Sequence, residues 1–143
     1  MNKAAIFVSV LLLVLLTGCN SDSHEGRKEK LLVYFAEGEN WASTFTLMDA
    51  GESIFDSLYI QHIGDRESTM DPIEYTLEGK GIKLASQYPQ KLQGVRSFQV
   101  SGESSKELID GFEDKDQEYK LTIKQNESSE ELILKLVNES NRN

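Results

Sequence analysis

Tyr119-Lys120-Leu121-Thr122-Ile123-Lys124-Gln125-Asn126-Glu127-Ser128-Ser129-Glu130-Glu131-Leu132-Ile133-Leu134-Lys135-Leu136-Val137 is the stretch that decides the fold. Tyr119, Leu121 and Ile123 alternate with Lys120, Thr122 and Lys124, and successive side chains of a strand point to opposite faces, so this period of two writes one apolar and one polar face. Asn126 to Ser129 is a polar turn. Leu132, Leu134 and Leu136 then alternate with Ile133, Lys135 and Val137. Two such runs joined by a short polar turn predict a β-hairpin. Asn138 to Asn143 reads as a polar tail.

Working back from the hairpin, the same pattern recurs. Leu31 to Phe35 is a short apolar, aromatic run, ended by Glu37-Gly38-Glu39-Asn40. Trp41, Phe45 and Leu47 share a face opposite Ala42, Thr44 and Thr46. Asp49 to Ser53 turns into a strand from Ile54 to Ile63, with Leu58, Ile60 and His62 opposed to Tyr59, Gln61 and Ile63. Gly64 to Pro72 is loop. Ile73 to Glu78 alternates, and Gly79-Lys80-Gly81 makes a tight turn into Ile82 to Ala85. Gln87 to Gly94 is loop again. Val95 to Val100 is a strand with Phe98 and Val100 on one side, and Gly102 to Lys106 turns. Seven or eight short strands with turn signals every 8–12 residues and no helical period predict an all-β chain. The expected architecture is a single immunoglobulin-like β-sandwich over residues 31–138, with Trp41 as its large central core residue and 139–143 as tail.

The N-terminus obeys a different pattern. Lys3 precedes Ala4 to Leu16, about 13 residues without a charge. That is the length of a secretory apolar segment, roughly 7–15, and short of the ~20 needed to span a bilayer. The run closes on Leu16-Thr17-Gly18-Cys19, which holds the chain's single cysteine. These residues resemble the lipobox of bacterial lipoprotein precursors. The resemblance implies residues 1–18 as signal peptide, cleavage between Gly18 and Cys19, and a diacylglyceryl thioether carrying palmitate-like chains on Cys19. It implies the outer face of the cytoplasmic membrane as location, with the membrane itself as a partner through that lipid. Two acyl chains hold stably where one is marginal, at about 0.8 kcal/mol per buried CH₂. Asn20 to Lys30 has no apolar residue and reads as a flexible tether, so residues 19–30 join lipid to domain. Phe35-Ala36-Glu37-Gly38-Glu39-Asn40-Trp41, shortly after box and tether, is similar to a stretch opening the β-rich domain of small uncharacterised lipoproteins of Bacillus-type bacteria. That similarity brings no activity with it.

Charge excludes one class of partner. The chain carries 24 acidic and 15 basic residues, for a net charge of −9. Removal of Lys3 with the signal would leave the mature part more acidic still. No basic stripe offers a nucleic-acid footprint. With only Cys19, no intramolecular disulfide can form, and packing and hydrogen bonds alone must hold the fold.

No constellation for nucleophilic catalysis is present. His62 lies mid-strand, and no serine occupies a Gly-x-Ser-x-Gly elbow. His24 belongs to the tether and shares no ligand spacing with His62, and Met48 and Met70 are lone thioethers. No cofactor is expected. The one metal candidate is calcium at Asp110, Glu113, Asp114, Asp116 and Glu118. Alternate carboxylates begin there as in an EF-hand loop, but the loop's glycine and closing glutamate are absent. Tyr34, Tyr59, Tyr75 and Tyr88 are candidate sugar-stacking rings, some of which alternation places in the core. These features point to a non-enzymatic binding or accessory module acting on a protein partner, with a small-ligand or calcium-binding role as the alternative.

Overall fold

The computed structural model describes residues 29–66, 71–79, 81–94, 96–105 and 116–142. They form eight strands and no helix: β1 (Glu29–Glu37), β2 (Trp41–Asp49), β3 (Ser53–His62), β4 (Ile73–Gly79), β5 (Ile82–Ala85), β6 (Ser97–Ser105), β7 (Tyr119–Gln125) and β8 (Ser128–Arg142). The all-β class therefore holds. All eight belong to one antiparallel sheet in the order β5-β4-β7-β8-β1-β2-β3-β6.

The long strand β8 is the hinge of this order. Its first half pairs with β7, from Gln125↔Ser128 to Tyr119↔Leu134. Its second half pairs with β1, from Phe35↔Lys135 to Glu29↔Arg142, with a bulge at Val33/Tyr34. An extra residue on one strand bends and twists the ladder locally. The sheet curls into a half-barrel: β4 is second from one end of the order and β6 is the other end, yet the Tyr75 and Phe98 rings lie 5.4 Å apart. A seam between β5 and β6 remains.

Alternation sets the interior. Leu32 and Tyr34, Phe45 and Leu47, Ile54, Leu58 and Ile60, Leu77, Leu121, Ile123 and Leu134 are all buried on the concave face. Tyr34, Phe45 and Tyr119 form its aromatic centre. Tyr119 meets Tyr34 edge-on at 4.8 Å and Phe45 at 5.0 Å. Full burial of each such ring contributes roughly 1.5–3 kcal/mol, and edge-to-face pairing adds about 0.5–1.5. Gly79 makes room for this centre, since a Cβ there would collide with the Tyr119 ring.

Three expectations are corrected. Trp41 is buried but not central: it sits at the start of β2 against His62, ring centroids 4.8 Å apart. Gly102 to Ser105 is strand, because β3 supplies cross-strand partners from Ser53↔Ser105 to Asp56↔Gly102. Asn138 to Arg142 is likewise strand rather than tail, paired with 29–33, which also draws Glu29 and Lys30 out of the tether. In each case a neighbour's ladder supplies what local composition lacks.

Candidate functional site

Two places on this frame gather polar side chains that the core does not need. The first is the end of the half-barrel where four connections meet. The Gly38–Asn40 turn between β1 and β2 is closed by the Gly38 N–H donating to Trp41 O at 2.8 Å. Asn40 then ties its neighbours together. Its carbonyl accepts from the Ile63 N–H (2.8 Å) and the Gly64 N–H (3.2 Å), while its own N–H and Nδ2 donate to Glu130 Oε2 at 3.1 and 3.2 Å. The His62 N–H donates to Arg96 O at 3.0 Å, and Arg96 Nη1 donates to Asp65 O at 2.8 Å. Arg96 holds φ at 66°, a left-handed conformation that costs a non-glycine residue of order 1 kcal/mol. The Glu37-to-Trp41 stretch singled out in the sequence is thus the knot of this end.

His62 is the buried member of the knot, 9% exposed, and its Nδ1 has no hydrogen-bond partner. Burial lowers its pKa from the ordinary 6.5, the Arg96 guanidinium lowers it further, and Glu130 and Asp65 oppose that. The ring is held neutral, as a packing group of Trp41. It separates a hollow of about 260 Å³ beside Asn40, Asp65, Gln125 and Glu130 from one of about 490 Å³ beside Arg66, Gly94 and Arg96.

The second place is the seam. Asp56 stands on the concave face of β3, between Ile54 and Leu58, and is 6% exposed. Burial pushes its carboxyl pKa upward from 3.8. Asp56 also raises the pKa of Tyr75, after the larger effect of that ring's own burial. Both line a cleft of about 300 Å³ together with Leu84, Val100, Gly102 and Glu103. Asp56 faces Gly102 across the β3–β6 ladder, and a Cβ at 102 would come within 2.9 Å of Asp56 Oδ1.

The residues singled out by sequence scatter around these two places. Tyr34 and Tyr75 are buried, Tyr59 is half-buried on the convex face, and Tyr88 is 68% exposed. Leu16, Thr17, Gly18, Cys19, His24, Met70, Asp110, Glu113 and Asp114 lie outside the described residues. Asp116 is exposed, and Glu118 pairs with Lys135 Nζ at 3.2 Å. Among the described residues no group of three or more histidine, cysteine or acidic side chains could hold a metal ion. No helix among them is long and apolar enough to cross a membrane.

Comparison with protein families, curated proteins and solved structures gives no match. Sequence reading missed Asp56 and Arg96. Asp56 had a signal: period two places it with Leu58 and Ile60, a charge on an apolar face. Arg96 had none, since the groups it bonds, the His62 N–H and the Asp65 carbonyl, lie far away in sequence.

Proposed function

We propose that the chain is a lipid-anchored, non-enzymatic binding module on the outer face of a bacterial cytoplasmic membrane, held by Cys19 and docking a protein partner. The lipobox resemblance of Leu16-Thr17-Gly18-Cys19 supports the anchor. The observation that carries the docking reading is the convex face of β8-β1-β2-β3. Cross-strand partners there run Leu31↔Met48, Met48↔Phe55 and Phe35↔Thr44, Thr44↔Tyr59, with Val33↔Thr46 between. Phe35, Met48 and Phe55 are 38–40% exposed, and Ile133 and Val137 of β8 are more so. Large apolar side chains grouped on one face mark an interaction surface, whereas singly scattered ones do not.

The finer architecture belongs to this proposal. An immunoglobulin-like sandwich would set β5-β4-β7 against β1-β2-β3-β6, with β8 passing from one layer to the other. The Tyr75–Phe98 ring contact across the seam supports that reading.

The test is in-cell cross-linking and pull-down of three forms: native, Cys19→Ser, and a Phe35→Glu/Met48→Glu double variant checked for folding by circular dichroism. One membrane or wall protein, enriched with the native form and lost from both variants, is the expected result. No such protein, or one undiminished by the double variant, overturns the reading. A second reading, a small-ligand-binding lipoprotein, is favoured by the Asp56 cleft. Its calcium form at Asp110, Glu113, Asp114, Asp116 and Glu118 rests on spacing alone.

A further inference from the structure

We propose that the seam cleft binds a primary alkylammonium group on an unbranched aliphatic stem, with the Asp56 carboxylate as its counter-ion. The proposal is independent of the convex docking face, which lies on the opposite side of β3.

The starting point is a carboxylate that has no protein partner and faces the cleft. As a residue Asp56 is more than nine-tenths buried, yet neither carboxylate oxygen has a hydrogen-bond partner among the described residues. Ser43, a buried polar residue of β2, is by contrast paired, its Oγ donating to Tyr59 O at 2.8 Å. A buried carboxylate without partners is costly, and buried charges are ordinarily found paired. The oxygens are not sealed in. They border a cleft of about 300 Å³ that opens between β5 and β6, the two ends of the hydrogen-bonded order.

The lining selects the partner by sign. Among the described residues no lysine, arginine or histidine borders the cleft, and the Asp56 carboxylate is the charge that faces it. Anions are excluded by repulsion and a cation is drawn in. The lining also selects among cations. Calcium takes 6–8 oxygens and magnesium demands an octahedron, whereas a single buried carboxylate leaves a metal short of ligands. An ammonium brings three donors and needs three acceptors, and it tolerates apolar surface along its stem. Tyr75, Leu84 and Val100 supply that surface. Gly102 keeps the approach open, because a side chain there would meet Asp56 Oδ1 at 2.9 Å.

The same chemistry has two sources: a free amine, or a lysine side chain on an extended peptide lying along the sheet ends. The experiment titrates the full-length chain in mild detergent, by amide NMR at Tyr75, Val100 and Gly102. The probes are n-butylammonium chloride, the peptide acetyl-Gly-Lys-Gly-amide, and 1-butanol as neutral control. Saturable shifts with the amines and none with 1-butanol are expected. A roughly tenfold loss of affinity is expected in Asp56→Asn, with a smaller loss in Gly102→Ala. Tenfold tighter binding of the peptide than of butylammonium assigns the lysine source, and equal binding assigns the free amine. No saturation with either amine at millimolar concentration overturns the proposal, as does undiminished binding to Asp56→Asn. Should that variant fail to fold, the carboxyl carbon of Asp56 in the native chain serves instead. Its titration midpoint falls when butylammonium is added if the ammonium sits on the carboxylate, and an unmoved midpoint overturns the proposal.

Discussion

The aromatic centre and the seam are built from the same alternation on the same concave face, and they differ in every property that matters for use. At the centre, Tyr119 meets the Tyr34 and Phe45 rings edge to face. At the seam, Asp56 occupies the equivalent inward position of β3 and faces a cleft. Burial alone does not distinguish the two. Tyr119 and Asp56 are both largely hidden, but one is held by ring contacts and the other has no hydrogen-bond partner among the described residues. A curled sheet that stops short of closure thus has an interior for stability and a margin where polar chemistry can be kept.

The contrast breaks most visibly at the centre. Tyr119→Ala removes a ring packed against both Tyr34 and Phe45. It is expected to lower the unfolding free energy by about 3–5 kcal/mol, read as a shift in the urea midpoint at constant slope. A loss below about 1 kcal/mol would mean that the centre is not what holds the half-barrel together. Gly79→Ala tests the same ring from the other side. Its added methyl collides with Tyr119, and overpacking of this kind costs about 1–3 kcal/mol. An unchanged midpoint would show that β4 shifts freely against β7, and that the core is looser than its contacts imply.

The centre was legible in the sequence and the margin was not. Tyr119, Leu121 and Ile123, or Trp41, Phe45 and Leu47, declare their face by period two, and the structure buries all six. Gly102 to Ser105 and Asn138 to Arg142 declared nothing. Their compositions are those of turns, and they become strands because β3 and β1 offer backbone partners at long sequence separation. Curling was equally silent. It depends on the bulge opposite Val33/Tyr34 and on the passage of β8 from β7 to β1, a property of pairing rather than of any local residue. The seam and its cleft inherit that silence. The one clue to them, Asp56 among Ile54, Leu58 and Ile60, is an exception to a pattern rather than a motif.

A smaller effect sharpens the comparison at the surface. Lys135 and Glu118 pair at 3.2 Å with both side chains more than half exposed. Lys135→Met should leave stability within about 0.5 kcal/mol of the native value, because exposed pairs contribute little and are screened by salt. A larger loss would place the surface charges along β7 and β8 among the determinants of the fold.

The finest distinction lies within β3, where Asp56 and His62 give opposite slopes of stability against pH. The fold favours the protonated form of Asp56. Between 3.8 and its raised folded value the native state binds more protons than the unfolded chain, so stability falls as pH rises through that window. The fold favours the neutral form of His62. Between its lowered folded value and 6.5 the unfolded chain binds more protons, so this contribution is present above 6.5 and lost as pH falls. Each slope is isolated by subtracting the variant's stability curve from the native one, Asp56→Asn for the first and His62→Gln for the second, so that the other carboxylates cancel. At pH 7 and without ligand, Asp56→Asn should gain stability, by less than either core substitution loses. A flat Asp56 difference curve would mean that its carboxylate is already compensated in the fold, leaving no unmet charge at the seam for a cation to answer. A flat His62 curve would instead mean that Glu130 and Asp65 offset burial and Arg96 fully, and that the knot at that end is indifferent to protonation.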